Sequence, residues 1–358
     1  MSKFEVICSK LRKLIDEQKL DALVIYGQGN VAYTTGYEPS MSDGSVHILK
    51  KDGLDRLLIH FTWDAVNAGK TYEFNNVIPC YDFGEKAAEI LGKPGKIGVV
   101  GKKMIPYDLY AALLETSEEI VQLDKEFLTM RHIKSSEEIG LIHKASQLTE
   151  LALEKTYEKI KAGMTELEIA ACFEYEGRKR EAQFSFSSSI GAGINSRHVA
   201  YKAGSNVVQD GDFIVIDVGL RYKKYCSDVS RTVSIGKPSA ERLDFFNRLH
   251  KAYTELLAQI KPHMRSKDLH AHALTLYEKY NLGKLRHRCG HGCGIETSME
   301  GIDLMLDEGP LLPGMTVCVE LSAEAPCATY GAKLEDTIVI TQEGYRTLSE
   351  SSLDLKIL

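Results

Sequence analysis

The run Phe213-Ile214-Val215-Ile216-Asp217-Val218-Gly219 sets an acid into an apolar strand, and after a turn around Tyr222 to Lys224 the chain returns through Asp228, Ser230 and Thr232. Phe213, Val215, Asp217 and Gly219 share one strand face, so the two runs form a hairpin that carries two aspartates. The arrangement recurs downstream. A strand from Thr316 to Leu321 holds Glu320 and, after a Gly- and Pro-bearing excursion, a strand from Leu334 to Ile340 holds Glu335. His291 stands between glycines in Cys289-Gly290-His291-Gly292-Cys293, where small neighbours let backbone and ion approach closely. Four carboxylates directed inward by apolar strands repel one another and resist burial unless cations hold them. Asp217, Asp228, His291, Glu320 and Glu335 therefore read as a ligand set for two divalent metals. Four oxygen donors and one imidazole suit manganese, cobalt or iron(II) better than a structural zinc. Taken singly, an acid at a strand end is more often a capping or solvated residue, and a lone histidine more often structural; the ordered set carries the reading.

The remaining sequence places this site in the second of two domains. A chain of 358 residues can bury a large core and divide once. Phe4, Ile7, Leu11, Leu14 and Ile15 recur at helical spacing. Strand-like runs follow at residues 22–26, 45–49, 57–59 and 96–100, and a helical stretch at 107–114, which together make an α/β unit with a mixed sheet over residues 1–123. Residues 124–134 read as a linker that crosses between domains. Ser135 and Glu138 then form a helix-start signal, repeated by Thr165 and Glu168. From Phe184 the period switches to two, interrupted by helical runs at 240–261 and 266–280. Residues 135–358 are thus expected to be an α+β domain with a curved, largely antiparallel sheet.

Composition removes several function classes. The formal charge is −6 with no block of Lys or Arg, which leaves no electrostatic footprint for nucleic acid. The longest apolar stretches, Ala22 to Tyr26 and Phe213 to Val218, are far too short to span a bilayer, and the N-terminal run is a mixed charged helix rather than a secretory peptide. A cytoplasmic protein without membrane partners is the expectation. The eight cysteines lack the dense spacing of a disulfide framework. Cys289 and Cys293 flank His291 at strand spacing, so a zinc centre built on these three is conceivable, but tetrahedral zinc usually draws on paired ligands from separate segments. Gly27-Gln28-Gly29-Asn30-Val31-Ala32 matches a dinucleotide fingerprint. That motif requires a helix opening at the turn, and Thr34, Thr35, Gly36 and Pro39 break any helix within a couple of turns.

The order Asp, Asp, His, Glu, Glu, embedded in the runs at 216–219, 227–232, 290–296, 319–320 and 334–337, resembles the creatinase and methionine aminopeptidase family of metallopeptidases. Within it, the chain is most similar to Xaa-Pro dipeptidases (prolidases) and Xaa-Pro aminopeptidases. Residues 30–37 are similar to the family's first-domain signature and residues 130–139 to its inter-domain segment, so the likeness covers nearly the whole chain. It implies a creatinase-like first domain and a "pita-bread" catalytic domain. Asp217 would chelate one metal, His291 and Glu320 would serve the other, and Asp228 and Glu335 would bridge the two. A hydroxide between the metals would attack the carbonyl before proline in Xaa-Pro dipeptides or short X-Pro peptides, with Glu320 shuttling its proton to the leaving nitrogen. His198 would contact the substrate and stabilise the tetrahedral intermediate. Lys333 lies where prolidases tend to carry an arginine for a substrate carboxylate. Manganese or cobalt, then iron or zinc, are the implied metals, a short peptide or small amide the implied substrate, and a homodimer the implied assembly.

Three positions depart from the pattern, one of them Leu321, which follows Glu320 where the family commonly has proline. The second histidine of the prolidase run, seven residues after the ligand, is Ser298 here; serine donates a hydrogen bond but does not titrate near neutrality. Lys333 keeps a positive charge but loses the bidentate fork of arginine. These departures leave open a hydrolase of the same architecture acting on a non-peptide C–N bond of a small molecule, or a binding protein without catalysis.

Overall fold

The computed structural model describes residues 3–40, 44–71, 76–297 and 300–358, and the chain separates into two compact units, Met1–Leu128 and Thr129–Leu358. Among the described residues no helix is long and apolar enough to cross a membrane.

In the first unit six strands form one mixed sheet in the order Val77–Pro79, Asp55–Ile59, Ser45–Lys50, Ala22–Tyr26, Lys96–Val100, Glu119–Gln122. Ala22–Tyr26 runs antiparallel to Ser45–Lys50 and parallel to Lys96–Val100. Its near-unbroken apolar sequence fits a strand covered on both faces: Ala22, Leu23, Val24 and Ile25 are all fully buried. A helix does open at the following turn, Gln28–Thr35, but it lasts eight residues and stops at Gly36 in the left-handed conformation (φ 71°). Beside Gly27 the tip of the Met104 side chain lies 2.9 Å from where a side chain would begin. Residues 124–132, expected as linker, form a helix, Asp124–His132.

The second unit holds an eight-stranded sheet. Its main path is Gly290–Gly292, Thr316–Glu324, Gly331–Ile340, Val229–Ser234, Phe213–Val218, Ser189–Ala192, with Tyr345–Thr347 and Lys356–Ile357 attached to its sides. Every pairing along that path is antiparallel. Two helix pairs cover the sheet. Ser136–Tyr157 and Glu166–Lys179 pack on Ile214, Ile216, Val218, Val229 and Val233, while Ala240–Ala258 and Ser266–Lys279 pack on Val317, Val319, Leu321, Leu334 and Ile338. The two halves repeat one plan. Ile160, Lys161, Gly163 and Met164 in the first inter-helix turn answer Ile260, Lys261, His263 and Met264 in the second, and Gly163 (φ 89°) and His263 (φ 66°) occupy the same left-handed position.

Both helix-start signals take the geometry their spacing dictates. The Ser135 and Thr165 side chains accept from the backbone N–H of Glu138 and Glu168, whose carboxylates reach back to the cap. Just before the first cap, Arg131 and Lys134 enclose Glu300 inside the unit. Arg131 Nη2 lies 2.5 Å from Glu300 Oε2 and 3.1 Å from Glu296, with Lys134 Nζ at 3.5 Å from Glu300 Oε1. Burial alone would raise the Glu300 carboxyl, but Arg131 and Lys134 outweigh it and hold it below the usual range. Removing one partner of such a buried cluster strands a charge, so Arg131→Met is expected to cost on the order of 3–5 kcal/mol, against about 1 kcal/mol for Ser135→Ala. Denaturant unfolding measures both; an Arg131→Met loss no larger than that of Ser135→Ala contradicts the role given to this cluster.

Candidate metal centre

Strand register gathers the acidic residues into one row. Asp217 pairs with Ser230, Ser230 with Glu335, and Glu335 with Glu320, so all four side chains leave the same face of four adjacent strands. Asp228 lies two residues before Ser230 and joins that face. His291 pairs with Cys318, two residues before Glu320, and joins it from the fifth strand. The two central strands meet in register at Ser230 and Glu335, flanked by two threonines in mirrored roles. Thr337 Oγ1 accepts from Asp228 N–H and donates to Asp228 O. Thr232 Oγ1 does the same with Lys333 N–H and O. Asp228 and Lys333, each two residues before the Ser230–Glu335 pair on antiparallel strands, are thereby fixed on opposite sides of the row.

Asp217, Asp228, His291, Glu320 and Glu335 are each no more than 6% exposed and line a cavity of about 290 Å³ with Phe186, Val199, Ala200, His287, Arg288, Thr297 and Lys333. The Nδ1–H of His291 faces Gly292 O at 3.0 Å, a bond that fixes the tautomer and leaves the Nε2 lone pair free. That nitrogen is 3.7 Å from both Asp228 Oδ2 and Glu335 Oε1. Two ligands about 2.1 Å from one tetrahedral ion stand roughly 3.4 Å apart, so these three atoms are spaced as ligands of a shared cation.

Lys333 lies among the acids. Its Nζ donates to Asp217 Oδ2 at 2.7 Å and sits 2.8 Å from Glu320 Oε2 and Glu335 Oε2. Burial would lower this ammonium, but Asp217, Glu320, Glu335 and Asp228 outweigh it and hold it well above its ordinary value. One ammonium does not balance four carboxylates. Burial, with Glu335 and Asp217 close by, pushes Asp228 well above the carboxylate range. Burial likewise raises Glu335 against the pull of Lys333, and Asp217 is raised for the same reason. For Glu320 burial is again the largest influence, yet Lys333, His287 and His291 together overcome it and bring its carboxyl down to about 2. Asp217 Oδ1, Asp228 Oδ1 and Glu335 Oε1 are buried without a hydrogen-bond partner, an expensive state for acceptors. Their charge and exposed lone pairs fit divalent metal ions, which these residues are able to hold.

His198 is exposed, stacked on Tyr201 with ring centroids 5.6 Å apart; the next two residues, Val199 and Ala200, line the cavity. Ser298 lies outside the described residues. Cys289 packs with the core beneath the second helix pair, whereas Cys293 packs with Cys226 and Cys318, so the pair does not flank the imidazole. Among the described residues the thiol within ligand distance of Asp228, His291 and Glu335 is Cys318, which its spacing of two from Glu320 could have revealed. His287 was also missed. Its ring contacts Ser322 Oγ and Arg288 O, each at 2.6 Å, and it lines both this cavity and an adjoining one of about 330 Å³.

Residues 140–342 match the model of metallopeptidase family M24, and residues 8–133 match the creatinase/prolidase N-terminal domain. The chain is 29% identical over 350 residues to the Xaa-Pro dipeptidase of Pyrococcus furiosus, covering 97% of this chain and 98% of that one. It is 29% identical over 358 residues to the uncharacterized peptidase YqhT of Bacillus subtilis, covering 98% and 99%. The crystal structure of X-Pro aminopeptidase from Thermotoga maritima superimposes with a TM-score of 0.89 at 27% identity, over 98% of this chain and 99% of that one.

Lys333 is the ammonium that contacts the acidic row, so Lys333→Met is expected to destabilise the chelator-treated protein by on the order of 3–5 kcal/mol and the metal-loaded protein by much less. Thermal unfolding with and without chelator reads the difference; equal losses in both states contradict it.

Proposed function

The chain belongs to metallopeptidase family M24, and from that membership we propose that it hydrolyses the bond before proline in Xaa-Pro dipeptides or short X-Pro peptides at a centre of two divalent metals. The observation that carries the reading is the row Asp217, Asp228, His291, Glu320 and Glu335, buried in one small cavity with carboxylate oxygens left unpartnered. Support for the substrate class comes from the Xaa-Pro dipeptidase and X-Pro aminopeptidase that the chain resembles over nearly its full length. These five residues would hold the metals, whose charge polarises the scissile carbonyl and acidifies the attacking water.

The chain's own groups do the rest. Glu320, a carboxylate of the row that faces the cavity, is the group that would accept a proton from the water and pass it to the leaving nitrogen. His198, immediately before the cavity-lining Val199 and Ala200, is the donor assigned to the developing oxyanion. Lys333 pairs with part of the row, and with divalent metals on the acids its ammonium would be available to a substrate carboxylate. The adjoining cavity is lined by Arg197, Lys284 and Arg286 and by Glu324, which pairs with both arginines. We assign the protein to the cytoplasm, in keeping with its eight free cysteines, and expect a homodimer.

Metal-loaded protein is expected to cleave Xaa-Pro dipeptides, with kcat falling ~10²–10⁴-fold in Glu320→Gln. Steady-state assays across Xaa-Pro dipeptides and longer X-Pro peptides test this. Absence of turnover on every X-Pro substrate with metal bound contradicts the assignment, and unchanged turnover in Glu320→Gln contradicts the proton route.

A further inference from the structure

The face that carries the acidic row also carries a sulfur atom that the hydrolysis does not use. Cys318 stands two residues before Glu320 on the same strand, and its register partner is His291. One ligating atom from each of Asp228, His291, Cys318 and Glu335 lies within 4.8 Å of the other three, and all four residues are buried. Two of these partners bring unsatisfied acceptors, Asp228 Oδ1 and Glu335 Oε1, and His291 brings the free Nε2 lone pair. The sulfur has only soft or shared partners: it lies 3.6 Å from Thr337 Oγ1, a hydroxyl already committed to Asp228 N–H and O, and it shares a hydrogen bond with the Cys293 thiol. The Lys333 ammonium contacts Asp217, Glu320 and the Oε2 of Glu335, which leaves the Oε1 of Glu335 on the side of His291 Nε2.

We propose that Cys318 is a sulfur ligand of the metal held by Asp228, His291 and Glu335, and that it biases this position towards zinc, cobalt(II) or iron(II) and away from manganese. The inference rests on reading the row as a metal centre, and adds a ligand and a selectivity to it. Thiolate is a soft donor, favoured by zinc and its neighbours and poorly matched to manganese, which prefers oxygen. As the sulfur–metal bond forms the S–H bond breaks, and its proton leaves to solvent. Neither neighbouring thiol fits this place: Cys293 and Cys226 pack with Cys318, and among the described residues neither joins the group of mutually close donors.

The test is spectroscopic. Chelator-treated protein reloaded with cobalt(II) is expected to show a near-ultraviolet sulfur-to-cobalt charge-transfer band that is lost in Cys318→Ser and kept in Cys293→Ser. Competitive dialysis with elemental analysis should show the zinc-over-manganese preference reduced about tenfold or more in Cys318→Ser. If the serine variant does not fold, Cys318→Ala, which preserves apolar packing, takes its place. Cobalt retained in stoichiometric amount without the band, or a band that survives loss of Cys318, overturns the proposal. A wild-type protein that retains no cobalt at all overturns the metal-centre reading and this inference with it.

Discussion

The structure depends on how four buried carboxylates on one sheet face are neutralised. Strand register alone forces Asp217, Glu335 and Glu320 into one row, and apolar neighbours exclude the water that would otherwise solvate them. Burying unpaired charge is costly enough that such groups either pair or neutralise. Lys333 does the first for part of the row, while burial raises the carboxyls of Asp228 and Glu335. Two divalent cations would supply four positive charges against four negative ones, and Lys333 would then no longer be required as counter-ion.

The opposite face of the same strands makes the contrast plain. Alternation turns Asp336 and Arg231 away from the row, and there every demand is met within the chain. Arg231 Nη2 lies 2.7 Å from Asp336 Oδ1, the same nitrogen donates to Ser351 O, its other nitrogens donate to the carbonyls of Glu335 and Ser352, and Tyr253 O–H donates to Asp336 Oδ2. An ion pair satisfied on one face and carboxylates left open on the other, one residue apart in sequence, separates structural charge from charge kept for an external cation. The mirrored threonines, Thr232 and Thr337, hold the two central strands so that this open face does not collapse.

Much of this was legible in the sequence because period-two alternation is a strong signal. The two acidic hairpins, the glycine-flanked His291 and both capping boxes follow from spacing alone, and the pita-bread architecture follows from the family likeness they carry. Side-chain reach was not legible. Lys333 was on the correct face by its spacing from Glu335, yet only the packed structure shows its stem directed along the row to Asp217. His287 contributes through a turn with no periodicity to reveal it. The helix at Gln28–Thr35 was hidden by its own stop residues, and the helix at Asp124–His132 by the absence of strong start signals. The repeat of the two helix pairs escaped notice because backbone conformation, with Gly163 answered by His263, is kept while side chains are not.

The most direct measurement is anomalous diffraction at the metal edge from crystals grown with manganese, cobalt or zinc. The account requires two peaks within the row formed by Asp217, Asp228, His291, Glu320 and Glu335, with the Lys333 ammonium drawn away from the carboxylates it holds in the metal-free site. A row without anomalous density at saturating metal, with Lys333 still bound to Asp217, would contradict it.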